Sequence, residues 1–242
     1  MLRIEEIEKL STKYQIDPLA VAREYCQHNI LASFYNQRGS EKILFKGGTA
    51  LRILFRSPRF SEDLDFTAIY RPTYREIEDI LTNALRDLHD WGFDIDLLEA
   101  KQTTGGYLAK INFSLYQFKF LIKIEISFRK SGKKIQSQAS PIQNDYIHTY
   151  NIVHLPLIEI INGKISALLT RAKSRDWYDL YFFLHNRMLE TEHKKLLPGI
   201  LEKLKKSKTD FKKELKTFLP RSHQLILKDF KKTLMQEIKK YY

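Results

Sequence analysis

The chain reads as an α/β (α+β) protein, a small mixed sheet flanked by helices and followed by a C-terminal helical bundle. Three observations predict this. Apolar and polar residues alternate at 107–116 and 118–128, as half-buried strands require. Ile77, Ile80, Leu81, Ala84, Leu85 and Leu88 recur at helical spacing, and a helical pattern returns from Pro156 onward. The chain carries no internal repeat and no low-complexity linker, so strands and helices are interleaved first and helices alone follow.

Residues 1–37 predict one or two helices, broken at Ile16–Pro18 because proline lacks the N–H and the room to continue a helix. Ile43, Leu44 and Phe45 form a short buried strand, Gly47 and Gly48 a sharp turn, and Thr49–Phe55 a helix start with Ala50, Leu51, Ile53 and Leu54 available for packing. A second strand carries Asp63, Leu64, Asp65 and Phe66. Pro72 opens a helix running to about Asp90, and strands are expected near 92–99, 107–116 and 118–128. A polar, basic loop at Gly132–Ser140 and a crossover from Ile142 to Leu155 lead into the helical region. The expected division is an α/β domain with N-terminal helices at 1–150 and a basic helical domain at 151–242.

Bulk composition narrows the class. A chain of 242 residues, 43% hydrophobic and 12% aromatic, can bury one large core or two modest ones. No run approaches the ~18 to 20 apolar residues of a membrane helix. MLRIEEIEKL reads as an amphipathic helix start rather than a secretory signal, so no membrane partner is expected and the cytoplasm is the expected location. Cys26 is the only cysteine, which excludes an intrachain disulfide, and its apolar helical setting marks a core thiol. The seven histidines show no zinc-ligand spacing. The net charge of +12 is uneven: residues 201–242 hold 13 Lys/Arg against 5 Asp/Glu. Leu and Phe recur there at near-helical intervals with lysines between them, which makes either a solvated helix face or a surface for a polyanion.

The chemistry concentrates in Lys46–Phe66, KGGTALRILFRSPRFSEDLDF. Side chains alternate along a strand, so Asp63 and Asp65 share one face while Leu64 and Phe66 point into the core. Two neighbouring carboxylates repel unless a hard divalent cation or a proton relieves them. Upstream, backbone amides at the glycine-led helix start can hold phosphate oxygens without an obstructing side chain. A decoy exists, since Phe93-Asp94-Ile95-Asp96-Leu97 repeats the Asp-x-Asp pattern, but it lacks the upstream glycines and reads as the face of an edge strand.

GGTALR followed by RFSEDLDF resembles the signature of the AbiEii/AbiGii toxin family, a branch of the DNA polymerase β-like nucleotidyltransferase superfamily. A second block, Lys164-Ile-Ser-Ala-Leu-Leu-Thr-Arg171 with Arg175-Asp176-Trp-Tyr-Asp179-Leu, resembles the same family's downstream motif, and the likeness spans about residues 40–185. The resemblance implies a polymerase β-like core and transfer of NMP from an NTP to a hydroxyl, with release of pyrophosphate. It implies Mg²⁺ (or Mn²⁺) as cofactor, two ions held by Asp63, Asp65 and a third acid. Glu125 is the candidate for that acid by order and alternation; a surface glutamate paired with Lys123 is the alternative. Gly47, Gly48 and Thr49 would then cradle the phosphates, with Arg52 and Lys164 offsetting charge. The resemblance further implies a toxin of a toxin-antitoxin or phage-defence pair, a cognate antitoxin partner, and RNA, tRNA in particular, as acceptor.

Lys164 and Arg171 lie seven residues apart, about 20° from alignment on an ideal helix, and Arg175 falls to the other side. If the helix is continuous, the three cations form one stripe for a triphosphate; if Ser174 restarts it as an N-cap, only Lys164 and Arg171 stay aligned. Asp176 and Asp179 either pair with these arginines or act in the site. The family resemblance favours function for Lys164 and Asp176, and leaves Arg171, Arg175 and Asp179 open. Arg56 and Arg59 read as surface charges. The rivals are a non-enzymatic RNA- or partner-binding protein on a transferase scaffold, and a nucleotidyltransferase for a small molecule such as an aminoglycoside. A P-loop kinase is disfavoured because GGTALR lacks the GxxxxGK[ST] spacing.

Overall fold

A computed structural model describes residues 1–69, 72–128 and 136–241. It divides into two compact units: Met1–Arg56 with Phe60–Pro156, and Ser57–Arg59 with Leu157–Tyr242. No helix among the described residues is long and apolar enough to cross a membrane.

The first unit opens with helices α1 (Ile4–Tyr14) and α2 (Pro18–Asn36). Asp17 caps α2 by accepting from the Leu19 amide at 2.8 Å, and Pro18 occupies the first turn, where no amide partner is needed. Strand β1 (Ile43–Lys46) leads into α3 (Gly47–Phe55), followed by β2 (Leu64–Ala68) and α4 (Tyr74–Asp90). Thr73 and Glu76 close a reciprocal cap on α4, the Thr73 amide donating to the Glu76 carboxylate at 2.7 Å and Thr73 Oγ1 accepting from the Glu76 amide at 3.2 Å. Strands β3 (Asp94–Thr103), β4 (Gly106–Leu115), β5 (Phe118–Phe128), β6 (Gln138–Ile142) and β7 (Tyr150–His154) complete one seven-stranded sheet, ordered β3-β4-β5-β2-β1-β7-β6. The sheet is mixed: β2 runs parallel to β5 and β1 parallel to β7, while the other neighbours are antiparallel. Phe34 stacks on Phe66 with centroids 5.0 Å apart, and Phe45 lies 5.4 Å from Phe66, so α2 covers the face that Leu64 and Phe66 present. Full burial of each such ring contributes about 2–3 kcal/mol.

Three local readings change. The glycines make no separate turn, because Gly47 takes a positive φ of 87° and starts α3 directly from an extended Lys46. Asp63 stands just before β2 rather than within it. The expected crossover contains β7, and β6 runs from the end of the expected loop to the start of that crossover; residues 132–135 of the loop lie outside the described residues. Gln-Ala-Ser-Pro-Ile lacks clear alternation and holds Pro141, which an edge strand such as β6 accommodates because one side needs no ladder bonds. Asp94 and Asp96, by contrast, lie exposed on β3, an edge strand, as expected.

The second unit is helical: α5 (Leu157–Thr170), α6 (Ser174–His185), α7 (Thr191–Lys194), α8 (Leu197–Lys206), α9 (Phe211–Leu215) and α10 (Phe230–Lys239), with short 3₁₀ turns at Lys216–Phe218, Arg221–His223 and Leu225–Lys228. Its core forms around Trp177, Leu204, Leu215, Leu234 and Ile238, all fully buried, and around Phe230, which stacks on Tyr178 at 6.0 Å and meets Phe211 at 5.0 Å. The helix after Lys164 is interrupted. Ala172 adopts a left-handed φ of 49°, and α6 restarts with Lys173, not Ser174, as its cap.

Candidate active site

Strand register assembles the acids of the first unit. Lys46 of β1 pairs with Asp65 of β2, and Asp65 pairs with Glu125 of β5, so three charged residues stand in one row across three adjacent strands. Residues paired in this way share a face, which is opposite to the one carrying buried Leu64 and Phe66. The parallel β2–β5 pairing is the decisive step, because it brings together residues sixty positions apart. Asp63 stands just before β2, two residues upstream, and its charge acts on Glu125 together with that of Asp65.

Gly47 stands against this row. A Cβ on Gly47 would lie 2.7 Å from the Asp65 Cβ and 2.8 Å from its Cγ, closer than packed carbons allow. The first turn of α3 is therefore pressed onto the Asp65 carboxylate, and only glycine supplies both the close approach and the positive φ. Thr49 is buried, and its hydroxyl donates to the Asp63 carbonyl at 2.5 Å, tying α3 to the segment that carries the acids. Lys46 Nζ donates to Ser127 Oγ at 2.8 Å, and Ser127 Oγ in turn donates to the Phe66 carbonyl at 3.1 Å. Strand alternation puts Ser127 on the face of Glu125, but nothing in the sequence links it to Lys46. Only the register shows that a lysine beside the glycines lies alongside the acids.

The electrostatics fit a cation. The Glu125 carboxyl is raised above its ordinary pKa, first by partial loss of water, then by the negative charges of Asp65 and Asp63; Lys123 and Lys46 act the other way. Glu125 remains an exposed side chain, so the two aspartates are the part of that shift that reports the arrangement. Among the described residues no three His, Cys, Asp or Glu side chains stand close enough together to hold a metal ion as they are placed. What the structure offers is a row of hard oxygen donors that repel one another, the donor type that Mg²⁺ and Mn²⁺ accept.

Arg52 faces another way. Its guanidinium makes a two-point contact with Glu24 of α2, at 2.7 and 3.2 Å, and lies 3.8 Å from the Phe60 ring centroid. Glu24 is itself buried and also accepts from the Tyr146 hydroxyl at 2.6 Å. The charge expected to meet phosphate is thus matched inside the unit, where it fixes α3 on α2.

In the second unit Lys164, Arg59 and Asp179 form one buried cluster. Arg59 donates through Nε to Asp179 Oδ1 at 2.9 Å and through a second nitrogen to Oδ2 at 3.2 Å, and Lys164 Nζ lies 2.6 Å from Oδ2. Arg59 is 2% exposed and Asp179 fully enclosed. Burial pushes the Asp179 pKa up, but the two cations outweigh it and hold the carboxyl below its ordinary value of 3.8. Lys164 is the partly accessible member of the cluster. Arg59, read from the sequence as a surface charge, is one of the largest fully buried side chains. Asp176 is buried too and doubly engaged: Arg171 reaches it with two bonds of 3.0 Å, and the Lys173 amide donates to it at 3.1 Å. With the helix broken at Ala172, the continuous three-cation stripe does not form; Arg175 instead sits 5.7 Å from the Phe218 ring centroid.

Among known proteins, a family model gives the class and solved structures share the fold. The family described as "Nucleotidyl transferase AbiEii toxin, Type IV TA system" matches residues 29–240. Among solved structures, JHP933 from Helicobacter pylori is 18% identical with a TM-score of 0.62, covering 93% of this chain and 95% of that one. MenT4, a nucleotidyltransferase toxin from Mycobacterium tuberculosis H37Rv, is 13% identical with a TM-score of 0.64, covering 100% of this chain and 93% of that one. No curated protein matches the chain.

Proposed function

The chain belongs to the AbiEii nucleotidyl transferase toxin family, and from that premise we propose that it transfers NMP from an NTP to a hydroxyl of RNA, with tRNA the expected acceptor. One observation carries the assignment of the site: Lys46, Asp65 and Glu125 stand in register on adjacent strands, with Gly47 pressed against Asp65.

Each residue then has a task. Amides at the start of α3, bared by Gly47 and Gly48, receive the β- and γ-phosphate oxygens. Thr49 acts through the Asp63 carbonyl and Arg52 through Glu24, both holding α3 where those amides are useful. Asp63, Asp65 and Glu125 would hold a divalent cation, Mg²⁺ or Mn²⁺, which when bound offsets triphosphate charge and lowers the pKa of the attacking hydroxyl. Glu125, in register with Asp65, takes the hydroxyl proton as the acceptor oxygen bonds to the α-phosphorus and the bond to the β-phosphate oxygen breaks. Lys46, steadied by Ser127, offsets charge beside the acids. Lys164 is assigned to charge compensation on the triphosphate from the family pattern, with Asp179 and Arg59 holding its ammonium; Asp176 and Arg171 build the start of α6. Positioning and electrostatics supply the acceleration.

The type IV toxin-antitoxin family supports a cognate antitoxin as partner, and we propose in addition that the protein acts in the cytoplasm and in phage defence. The test incubates the protein with Mg²⁺, each α-labelled nucleotide and total tRNA, beside an Asp65→Asn variant. Label on RNA from the native protein alone is expected. Equal labelling by both would reject the acid assignment, and transfer of a γ-label would indicate a kinase.

A further inference from the structure

The cations of the second unit are not spread evenly. Of the 13 Lys/Arg in residues 201–242, Lys205 and Lys240 pair with Glu202 and Glu237 one helical turn away. Others gather around a hollow of about 660 Å³ between α9, α10 and the turn at Leu225–Lys228, rimmed by Lys212, Lys228, Lys231, Lys232 and Lys239. A second hollow of about 280 Å³ shares Lys212 and Lys228 and adds Lys216 and Arg221. Among the described residues, Lys212, Lys216, Lys228, Lys232 and Lys239 form no ion pair, and Lys231 is held by the Lys205 and Ser207 carbonyls at 2.9 and 2.8 Å. The acids at the rim do little to offset them. Asp210 accepts from the Lys213 amide at 3.0 Å to cap α9, and Asp229 precedes the positive end of α10.

We propose that these two adjoining hollows form a docking track for the phosphate backbone of a polynucleotide. The inference deepens the proposed function, resting on RNA as acceptor and naming the surface that holds it. Unpaired like charges around one concavity are unfavourable when nothing fills it, and a chain of regularly spaced anions relieves them together. Composition separates nucleic acid from an acidic protein. Protein interfaces are anchored by exposed Trp, Tyr and Arg and are depleted in Lys, whereas this rim is lysine with a single arginine, and its aromatics, Phe211 and Phe230, are buried in the floor. Lysine contacts to phosphate also carry no sequence information, so the track would position an acceptor without reading its bases.

The experiment uses the full-length chain and measures binding of a labelled 20-nucleotide single-stranded RNA by fluorescence anisotropy over a salt series, without NTP or divalent metal. One variant replaces Lys212, Lys228, Lys232 and Lys239 with Gln. Its control replaces Lys206, Lys208, Lys213 and Lys195, which lie outside both hollows. The track variant is expected to lose tenfold or more in affinity and to flatten the slope of log K against log salt by about 2–3, since each phosphate contact on a single strand contributes about 0.7. The control should change less than threefold. Equal losses in the two variants would overturn the proposal in favour of diffuse charge, and equally tight binding of a 20-residue polyglutamate would overturn it in favour of an acidic protein partner. Should the track variant melt lower than native, Lys232→Gln with Lys239→Gln, both exposed on α10, carries the same comparison with about a threefold loss expected. Asp65→Asn should bind RNA as native does; intact binding with no label transfer in the native protein would refute the activity and leave the track standing.

Discussion

Gly47 carries two constraints at once, and a single methyl group tests both. In Gly47→Ala the new Cβ must displace Asp65 and also sustain a φ of 87°. The conformational part costs about 1–2 kcal/mol, a fall of roughly 2–8 °C in melting temperature. Because Asp65 moves, transfer should fall on the order of 10²-fold, as small misplacements of reacting groups do. Glu125→Gln separates stability from activity. A carboxyl whose folded pKa is raised favours folding below its unfolded pKa, and that advantage is lost as pH rises through the folded value. Removing the charge should therefore stabilise the protein at pH 7 by roughly 0.5 kcal/mol, about 1–2 °C, because the side chain is exposed and water screens it. Transfer should be abolished in the same variant. A melting temperature that drops would show that Glu125 is a structural ion-pair partner instead. The ordinary surface-strand reading of Glu125 predicts that drop.

At the scale of elements, the short segment Ser57–Arg59 between α3 and β2 belongs to the helical unit and is fastened there by Arg59 on Asp179. Arg59→Ala leaves the enclosed Asp179 with Lys164 as its one cation in the cluster, and truncating one partner of a buried pair costs about 3–5 kcal/mol. Urea denaturation should show that loss, with Arg59→Lys recovering part of it because an ammonium supplies charge without the two-point geometry. Asp179 also sets an acid limit. Its folded pKa is lowered, so the stability it contributes is present above its unfolded pKa and lost as pH falls through the folded one. In Asp179→Asn, which is less stable at neutral pH, melting should depend less on pH below about 4 than in the native protein.

For the whole molecule, the acids and the glycine-led helix should respond to the same ligand. Mg²⁺ with NTP is expected to raise the native melting temperature, since a ligand bound only by the folded state stabilises it by mass action. Asp65→Asn should show a much smaller rise, and chelation with EDTA should remove the native one. A full Mg²⁺-dependent rise in Asp65→Asn would move the cation elsewhere. Much of this site was legible beforehand in Gly47, Gly48, Asp63 and Asp65, because the period of a strand and the needs of a tight helix start are local properties. The partners of Lys46, Arg59 and Arg52 were not legible because they lie far along the chain: Ser127, Asp179 and Glu24 are 81, 120 and 28 residues away. Strands β6 and β7 were missed for a related reason, since Gln-Ala-Ser-Pro-Ile becomes a strand by pairing with a neighbour, not by its own alternation.

What the amino-acid order determined alone was the succession of elements as far as β5, the helical character of the chain from Pro156, the Asp-x-Asp spacing beside a glycine-led helix and the basic character of the last forty residues. Each follows from short-range sterics, side-chain period or plain charge. Which acid stands beside Asp65, which cations are already matched in the interior and which lysines are left facing a hollow were decided by the tertiary structure. Pairing register and burial are set by the chain folding onto itself, and a charge has no fixed worth until the fold supplies or withholds its counterpart.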